Sequence, residues 1–136
     1  MAEREFWGDE AAGAYLVAED TGRVLLVLRS GHVNEPWTWA AVGGKIDPGE
    51  TASEALVREV EEELGYDGPL RLRRIKAFLA GDFVYHNHIG YVPHEFAPSL
   101  NWESDDYAWV EPEEIDDWPD LHFGVEWLLD NGGLDL

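Results

Sequence analysis

Residues 44–66 read GKIDPGETASEALVREVEEELGY, and this stretch decides both the fold and the chemistry predicted for the chain. Thr51 and Glu54 stand at the spacing of a capping box, in which each side chain bonds the other residue's backbone N–H at a helix start. Apolar residues then recur at helical spacing, and Gly65 is the expected helix stop. The apolar positions are Ala52, Ala55, Leu56, Val60 and Leu64. The stretch therefore predicts an amphipathic helix that begins after Thr51.

This predicted helix carries a cluster of glutamates. Glu59, Glu62 and Glu63 are separated by three and four positions, so they share one helix face. Carboxylates on one face repel each other, and a divalent cation that prefers oxygen ligands, such as Mg²⁺ or Mn²⁺, relieves the repulsion. A solvated acidic face is the alternative, and the glutamates alone favour it because Glu-rich helices are common.

The residues ahead of the glutamates favour the cation. Gly43 and Gly44 allow close approach of the backbone, since no side chain blocks the way. Glu50 stands just before the helix, and Arg58 can pair with a neighbouring carboxylate and hold it in place. Residues 44–65 together follow the pattern G-x5-E-x7-R-E-V-x-E-E-x-G.

This pattern resembles the Nudix box, the signature of the Nudix hydrolase family, and every charged and glycine position matches. Tyr66 stands where the family usually has a small aliphatic residue, a departure that affects packing. Trp39 takes the place of the Trp often found ahead of the double glycine, and Val42 replaces the usual Pro.

The resemblance implies a set of roles for the box. Glu59, Glu62 and Glu63 would hold Mg²⁺ or Mn²⁺ with help from the Gly43 carbonyl, and the cations would orient a diphosphate for attack by water. Four further box residues would have structural or supporting roles. Gly44 and Gly65 would shape the backbone, Glu50 would organise the loop, and Arg58 would support catalysis beside Glu59.

The group that takes the proton of the attacking water stays open at this point. Glu59 or Glu62 can act within the box. Some family members use a loop glutamate beyond the box, shortly before a strand that bears a Trp. Glu103, six residues before Trp109, resembles that arrangement and is predicted as a fourth ligand or base, with Glu95 as a weaker rival. A further acidic loop residue without a role is the alternative for Glu103.

Two aromatic and two basic residues are predicted to bind substrate. Trp102 lies in a polar loop beside Glu103, and Trp37 is the next candidate for stacking a base, although core packing is the alternative for any single ring. Arg29 and Lys45 flank the box and can contact phosphate. The small size resembles that of the family branches that act on nucleoside triphosphates, including oxidised ones, or on dinucleoside polyphosphates. ADP-ribose and capped RNA are alternative substrates, and a non-catalytic nucleotide-binding domain is an alternative function.

The order of elements predicts an α/β fold. Strands precede and follow the predicted helix, and a second helix over residues 121–129 closes the chain, which resembles the family's α/β/α sandwich with a mixed β-sheet between helices. We expect a single Nudix domain over residues 1–136. The predicted strands cover residues 14–18, 23–29, 37–42, 70–80, 83–96 and 107–110.

Composition narrows the function further. The chain has 29 acidic residues against 9 Lys and Arg, a net charge of −20 that repels nucleic acid, so duplex binding is not expected. A phosphate substrate then needs cations at the site. There is no cysteine, and no apolar run is long enough to span a bilayer. Residues 1–5 lack the layout of a signal peptide, so we expect a cytoplasmic protein without a membrane partner. A homodimer is common among relatives.

Overall fold

The protein is described by a computed structural model that covers residues 10–134 and 136. Residues 1–5, on which the expected lack of a signal peptide rests, lie outside the described part. The strands are β1 Glu10–Ala18, β2 Val24–Arg29, β3 Trp39–Ala40, β4 Val42–Lys45, β5 Arg71–Arg74, β6 Phe78–Ala80, β7 Phe83–Val92 and β8 Ser104–Val110. The helices are α1 Ala52–Leu64, a 3₁₀ helix Pro112–Asp117 and α2 Phe123–Asp130. Within the described ranges, no helix has both the length and the apolar character needed to cross a bilayer.

Strand β1 is the centre of a mixed sheet. It pairs in parallel with β7 along its whole length, from Glu10 beside Val84 to Ala18 beside Val92. Its N-terminal half pairs antiparallel with β4, whereas its C-terminal end meets β2 at Val17 and Val24. Strand β2 then pairs with β3 and β8. Arg29 at the end of β2 and Lys45 at the end of β4 both line a groove.

Two hydrophobic clusters lie on opposite faces of this sheet, because side chains alternate along each strand. Leu16 of β1 and Leu25 of β2 pack in the cluster that contains the apolar face of α1. Their neighbours Tyr15 and Leu26 pack in the cluster that contains α2 and the 3₁₀ helix. The mixed sheet therefore lies between helices, which confirms the predicted α/β/α sandwich.

Helix α1 begins and ends as predicted. Thr51 accepts a hydrogen bond from the Glu54 backbone N–H, and Glu54 reaches back to the Thr51 N–H, which completes the capping box. Gly65 ends the helix in the left-handed region at φ 67°, where a residue without Cβ is favoured.

Several predicted boundaries were wrong. The extended piece predicted over residues 37–42 divides into β3 and β4. Trp37 lies before β3, with its backbone in the left-handed region at φ 61°. The strand over residues 70–80 divides into β5 and β6, where the Asn87 side chain donates to the Lys76 carbonyl between them. Strand β7 ends at Val92 rather than residue 96, because Pro93 cannot donate to the ladder. The 3₁₀ helix was not predicted.

Candidate active site

Three carboxylates from two parts of the chain meet beside α1. Glu59 and Glu63 stand one helical turn apart on α1, and Glu103 reaches them from the loop before β8. One carboxylate oxygen from each residue lies within 4.8 Å of one from each of the others. Glu59 and Glu63 are buried, so the negative charges meet where water screens them poorly.

Glu63 is the member of this trio that most needs a positive partner. Burial raises the pKa of Glu63 well above its usual range, and contact with Glu59 and the charge of Glu103 raise it further. Its Oε2 atom is buried and has no hydrogen-bond partner in the protein. An unpaired buried carboxylate oxygen between two other carboxylates fits a cation with hard oxygen ligands, such as Mg²⁺ or Mn²⁺.

Arg58 fixes one side of the trio. Its Nη1 lies 2.8 Å from Glu59 Oε1, and Nε and Nη2 donate to the two oxygens of Glu50 at 2.8 and 2.9 Å. Nη2 also donates to the Lys45 carbonyl at 3.1 Å. The hydrogen bonds from Arg58, and one from the Asp47 backbone, lower the pKa of Glu50 to about 2. Arg58 therefore links Glu50 to Glu59, while Glu50 itself lies outside the trio.

Gly44 lies against the trio because it has no side chain. A Cβ at this position would lie 2.9 Å from the Glu59 carboxyl carbon, so any larger residue would displace the carboxylate. A Cβ at Gly43 would collide with the Ala12 backbone on the neighbouring strand. Both glycines line the groove together with Glu59. The role of the Gly43 carbonyl as a metal ligand stays a prediction.

Glu62 takes a different position from the other box glutamates. Its side chain is 55% exposed, lies at the groove wall and contacts Arg58 Nη1 at 3.3 Å. Glu62 and Glu63 are successive residues and point about 100° apart around the helix, whereas Glu59 and Glu63 differ by about 40°. The pair four positions apart therefore points inward together, and Glu62 lies outside the trio.

Two members of the trio, Glu59 and Glu103, line a groove of about 480 Å³ between the box and two loops. The structure brings three of the four predicted substrate-binding residues to it, namely Arg29, Lys45 and Trp102. Arg29 is held in place by a 2.7 Å hydrogen bond from Nε to the Asn34 carbonyl. Burial lowers the pKa of Arg29, while the nearby carboxylates of Glu63 and Glu103 act in the opposite direction. The groove thus combines cationic side chains with the acidic trio.

The two candidate stacking residues differ in placement. Trp102 is 64% exposed and lines the groove next to Glu103. Trp37 is also exposed, but it lies outside the groove lining and covers Gly31, where a Cβ would lie 2.8 Å from the ring. Its position is set by the left-handed backbone at Trp37, which the sequence pattern did not reveal.

The structure also separates the two candidate loop glutamates. Glu95 accepts hydrogen bonds from Arg23 at 2.6 and 2.7 Å and from Thr21 at 2.6 Å, away from the groove lining. The hydrogen bonds from Arg23 lower the pKa of Glu95. Glu103, and not Glu95, therefore joins the box glutamates.

Some residues of the site were missed from the sequence. His32, Val33 and Asn34 line the groove, and Asn101 donates to the Glu103 carboxylate. A loop without periodicity carries no signal for the first three. The spacing of Asn101 two residues before Glu103 is the signal of an Asx turn, and it identifies Asn101 as a residue worth testing.

Comparison with known proteins identifies the family. Residues 9–128 match the NUDIX domain. The chain is 30% identical to a CTP pyrophosphohydrolase of Escherichia coli over 76% of this chain and 77% of that protein. It is 38% identical to the nucleoside triphosphatase NudI of Salmonella paratyphi B over 59% of this chain and 66% of that protein.

Solved structures agree on the fold. A Nudix hydrolase from M. smegmatis superposes with a TM-score of 0.73 at 24% identity, covering 95% of this chain and 91% of that one. A MutT protein from Methanosarcina mazei superposes with a TM-score of 0.65 at 26% identity, covering 84% of each chain. The chain therefore belongs to the Nudix family and is a pyrophosphohydrolase.

Proposed function

We propose that this enzyme hydrolyses a diphosphate bond of a nucleoside triphosphate and depends on Mg²⁺ or Mn²⁺. The observation that carries the proposal is the trio of Glu59, Glu63 and Glu103, with the buried, unpartnered Oε2 of Glu63, beside a groove of about 480 Å³. A site of this kind suits a triphosphate. The triphosphate is negatively charged and the chain has a net charge of −20, so cations at the site are needed to offset the repulsion between them.

Glu59, Glu63 and Glu103 would hold the cation, with the Gly43 carbonyl and Glu62 as further ligands at the groove wall. When bound, the cation neutralises the diphosphate and orients its phosphorus for attack by water. The requirement follows from charge, because a phosphate chain and this group of carboxylates repel each other without a cation between them.

The protein's own side chains supply the remaining steps. Arg29 and Lys45 bind phosphate oxygens, and Arg58 holds Glu59 in place. One carboxylate takes a proton from the water as the water oxygen bonds to one phosphorus of the diphosphate. The bridging P–O bond to that phosphorus breaks, and the phosphate group on the other side of the bridge leaves. Glu59, Glu62 and Glu103 are the candidates for this base, because all three line the groove.

The substrate class rests on the relatives and on Trp102. One relative is a CTP pyrophosphohydrolase and another is a nucleoside triphosphatase, so a nucleoside triphosphate is the substrate that we propose. The exposed indole of Trp102 provides a flat surface for a base at the groove. Oxidised nucleotides, dinucleoside polyphosphates, ADP-ribose and capped RNA form the competing substrates of the test.

The test is a hydrolysis panel with Mg²⁺, Mn²⁺ or EDTA, followed by phosphorus NMR of the products. We expect cleavage of a nucleoside triphosphate that EDTA abolishes, and products that identify the attacked phosphorus. Glu59→Gln should lower kcat by about 10²-fold or more, since it removes a group at the reacting centre. Glu61→Gln, on the exposed side of the same helix, is the matched control. Preference for another substrate of the panel would overturn the substrate class.

Comparing Glu59→Gln, Glu62→Gln and Glu103→Gln identifies the base. Removal of the base should lower kcat and change the affinity for Mn²⁺ only a little. Removal of a metal ligand should weaken the affinity for Mn²⁺ more strongly. The single-domain extent over residues 1–136, the cytoplasmic location and the homodimer stay predictions.

A further inference from the structure

The loop that carries Glu103 is tied to the end of helix α1. The last carbonyls of a helix have no partner within the helix. Here the Ser99 N–H donates to the Leu64 carbonyl at 2.8 Å, and the Asn101 N–H donates to the Glu63 carbonyl at 3.3 Å. The loop that leads to Glu103 is therefore hydrogen-bonded to the backbone of Glu63, a residue of the trio.

The side chain of Asn101 holds Glu103 at two points. Its Oδ1 accepts a hydrogen bond from the Glu103 backbone N–H at 3.0 Å, and its Nδ2 donates to Glu103 Oε1 at 3.1 Å. The partners determine the orientation of the amide, because a backbone N–H only donates and a carboxylate only accepts. The Glu103 carbonyl also accepts from the Ser30 N–H at 2.9 Å, which fixes the backbone from the side of β2.

This arrangement addresses a problem that the trio creates. Glu103 is half-buried on a loop, and two buried glutamates repel its carboxylate toward solvent. A long side chain under such repulsion does not stay in place unaided, since its rotamers are many and water is close. A neutral amide donor restrains the carboxylate without adding a charge to the site.

We propose that Asn101 is a positioning residue that keeps the Glu103 carboxylate in line with Glu59 and Glu63, so that the three present a preformed cation site. The proposal rests on the proposed function, in which the trio holds Mg²⁺ or Mn²⁺. Asn101 joins the two halves of the site, because its backbone N–H bonds Glu63 and its side chain bonds Glu103. Partners of this kind around metal ligands typically contribute a factor of about 10 to 100 in affinity.

Three variants separate the two bonds of the amide. Asn101→Ser keeps an oxygen that can accept from the N–H two residues ahead, so the turn is retained while the donor to the carboxylate is lost. Asn101→Ala loses both bonds. Asn101→Asp keeps the turn but turns a carboxylate toward Glu103. The matched control is Asn131→Ala, which removes an exposed amide that donates to the Trp127 carbonyl at 2.8 Å, on helix α2.

The primary readout is the Kd for Mn²⁺ from calorimetry on the full chain without nucleotide. We expect Asn101→Ser and Asn101→Ala to raise this Kd by about 10-fold, and Asn101→Asp by at least as much. In turnover at limiting Mn²⁺ the loss should fall on kcat, with the KM for the nucleoside triphosphate changed less than about twofold. The melting temperature in EDTA should stay close to that of the wild type, which excludes a general loss of folding.

The results separate the inference from the proposed function. Wild-type affinity in Asn101→Ser beside a loss in Asn101→Ala would mean that only the turn matters, and would overturn the positioning role. Unchanged affinity in Glu103→Gln would overturn it as well, because Asn101 would then have no ligand to position. Absence of Mn²⁺ binding by the wild type would instead overturn the proposed metal dependence.

Discussion

Replacing Glu63 by Gln should make the metal-free protein more stable than the wild type. Added metal should stabilise the variant less than it stabilises the wild type. At 4.8 Å, the upper limit of the oxygen–oxygen separations in the trio, and an effective dielectric constant of about 20, two ionised carboxylates repel by about 3.5 kcal/mol. Glu63 faces two such neighbours, and burial together with these neighbours raises its pKa, so the charged form of Glu63 is disfavoured in the fold. We therefore expect Glu63→Gln to gain about 1–2 kcal/mol in the free energy of unfolding at neutral pH.

The dependence on pH has a definite sign. The native protein binds the Glu63 proton more tightly than the unfolded chain does, so the stability contributed by this group falls as pH rises above the usual value of 4.5. Glu63→Gln carries no such proton and removes that slope. The gain from the substitution should therefore be small at acid pH and grow toward neutral pH.

Thermal unfolding in EDTA and in excess MnCl₂ is the assay. In EDTA the variant should melt about 4–8 °C above the wild type, as a gain of this size implies for a chain of 136 residues. Mn²⁺ at 100 times its Kd should stabilise the wild type by about 2.7 kcal/mol and the variant by much less. The stability gap should therefore close, and with tight enough binding reverse, when metal is added.

Glu61→Gln serves as the control, because it makes the same chemical change on the exposed side of α1. It should leave the response to Mn²⁺ unchanged. A Glu63→Gln protein that is less stable than the wild type in EDTA, or that gains as much from Mn²⁺, would refute the view that Glu63 is a strained ligand.

Three further predictions concern the groove and its support. Gly44→Ala places a methyl group 2.9 Å from the Glu59 carboxyl carbon, so kcat should fall by about 10²-fold with the fold retained, as measured by steady-state kinetics and circular dichroism. Trp102→Ala should raise the KM for the nucleoside triphosphate by roughly 10-fold, with the Kd for Mn²⁺ unchanged in calorimetry. Glu50 has its pKa lowered from 4.5 to about 2 by Arg58, so it stabilises the fold above pH 4.5 and loses this contribution as pH falls toward 2. Denaturant titrations of Glu50→Gln and the wild type should therefore differ at neutral pH and converge in acid, whereas a constant difference would contradict the assignment.

The sequence predicted the family, the enzyme class and the sandwich, and all three are confirmed. Helix α1 was predictable in detail because its signals are local: Thr51 and Glu54 start it, and Gly65 ends it. The placement of Glu103 near the box also follows from the resemblance. Its joining the trio depends on contacts between distant parts of the chain, so only the structure reports it.

Other features depend on physics that local patterns do not carry. Helical spacing places three glutamates on one face but does not say which of them the surrounding protein buries, so Glu62 was grouped with Glu59 and Glu63. Trp37 was the second candidate for stacking after Trp102, and its pattern predicted the start of an extended piece over residues 37–42. The backbone at Trp37 turns its ring toward Gly31 instead, and that turn arises from the whole loop.

The parallel pairing of β1 with β7 has a consequence for the way the chain folds during synthesis. The antiparallel partner β4 follows β1 closely, so one edge of β1 is covered soon after Lys45 is made. The other edge of β1 stays unpaired until residues Val84 to Val92 of β7 have been made. Almost every residue of β1 is buried in the folded protein. Non-local parallel pairing forms slowly, and an uncovered apolar edge invites association with other chains. Nascent chains that end between α1 and β7 should therefore be the species that aggregate or require chaperones.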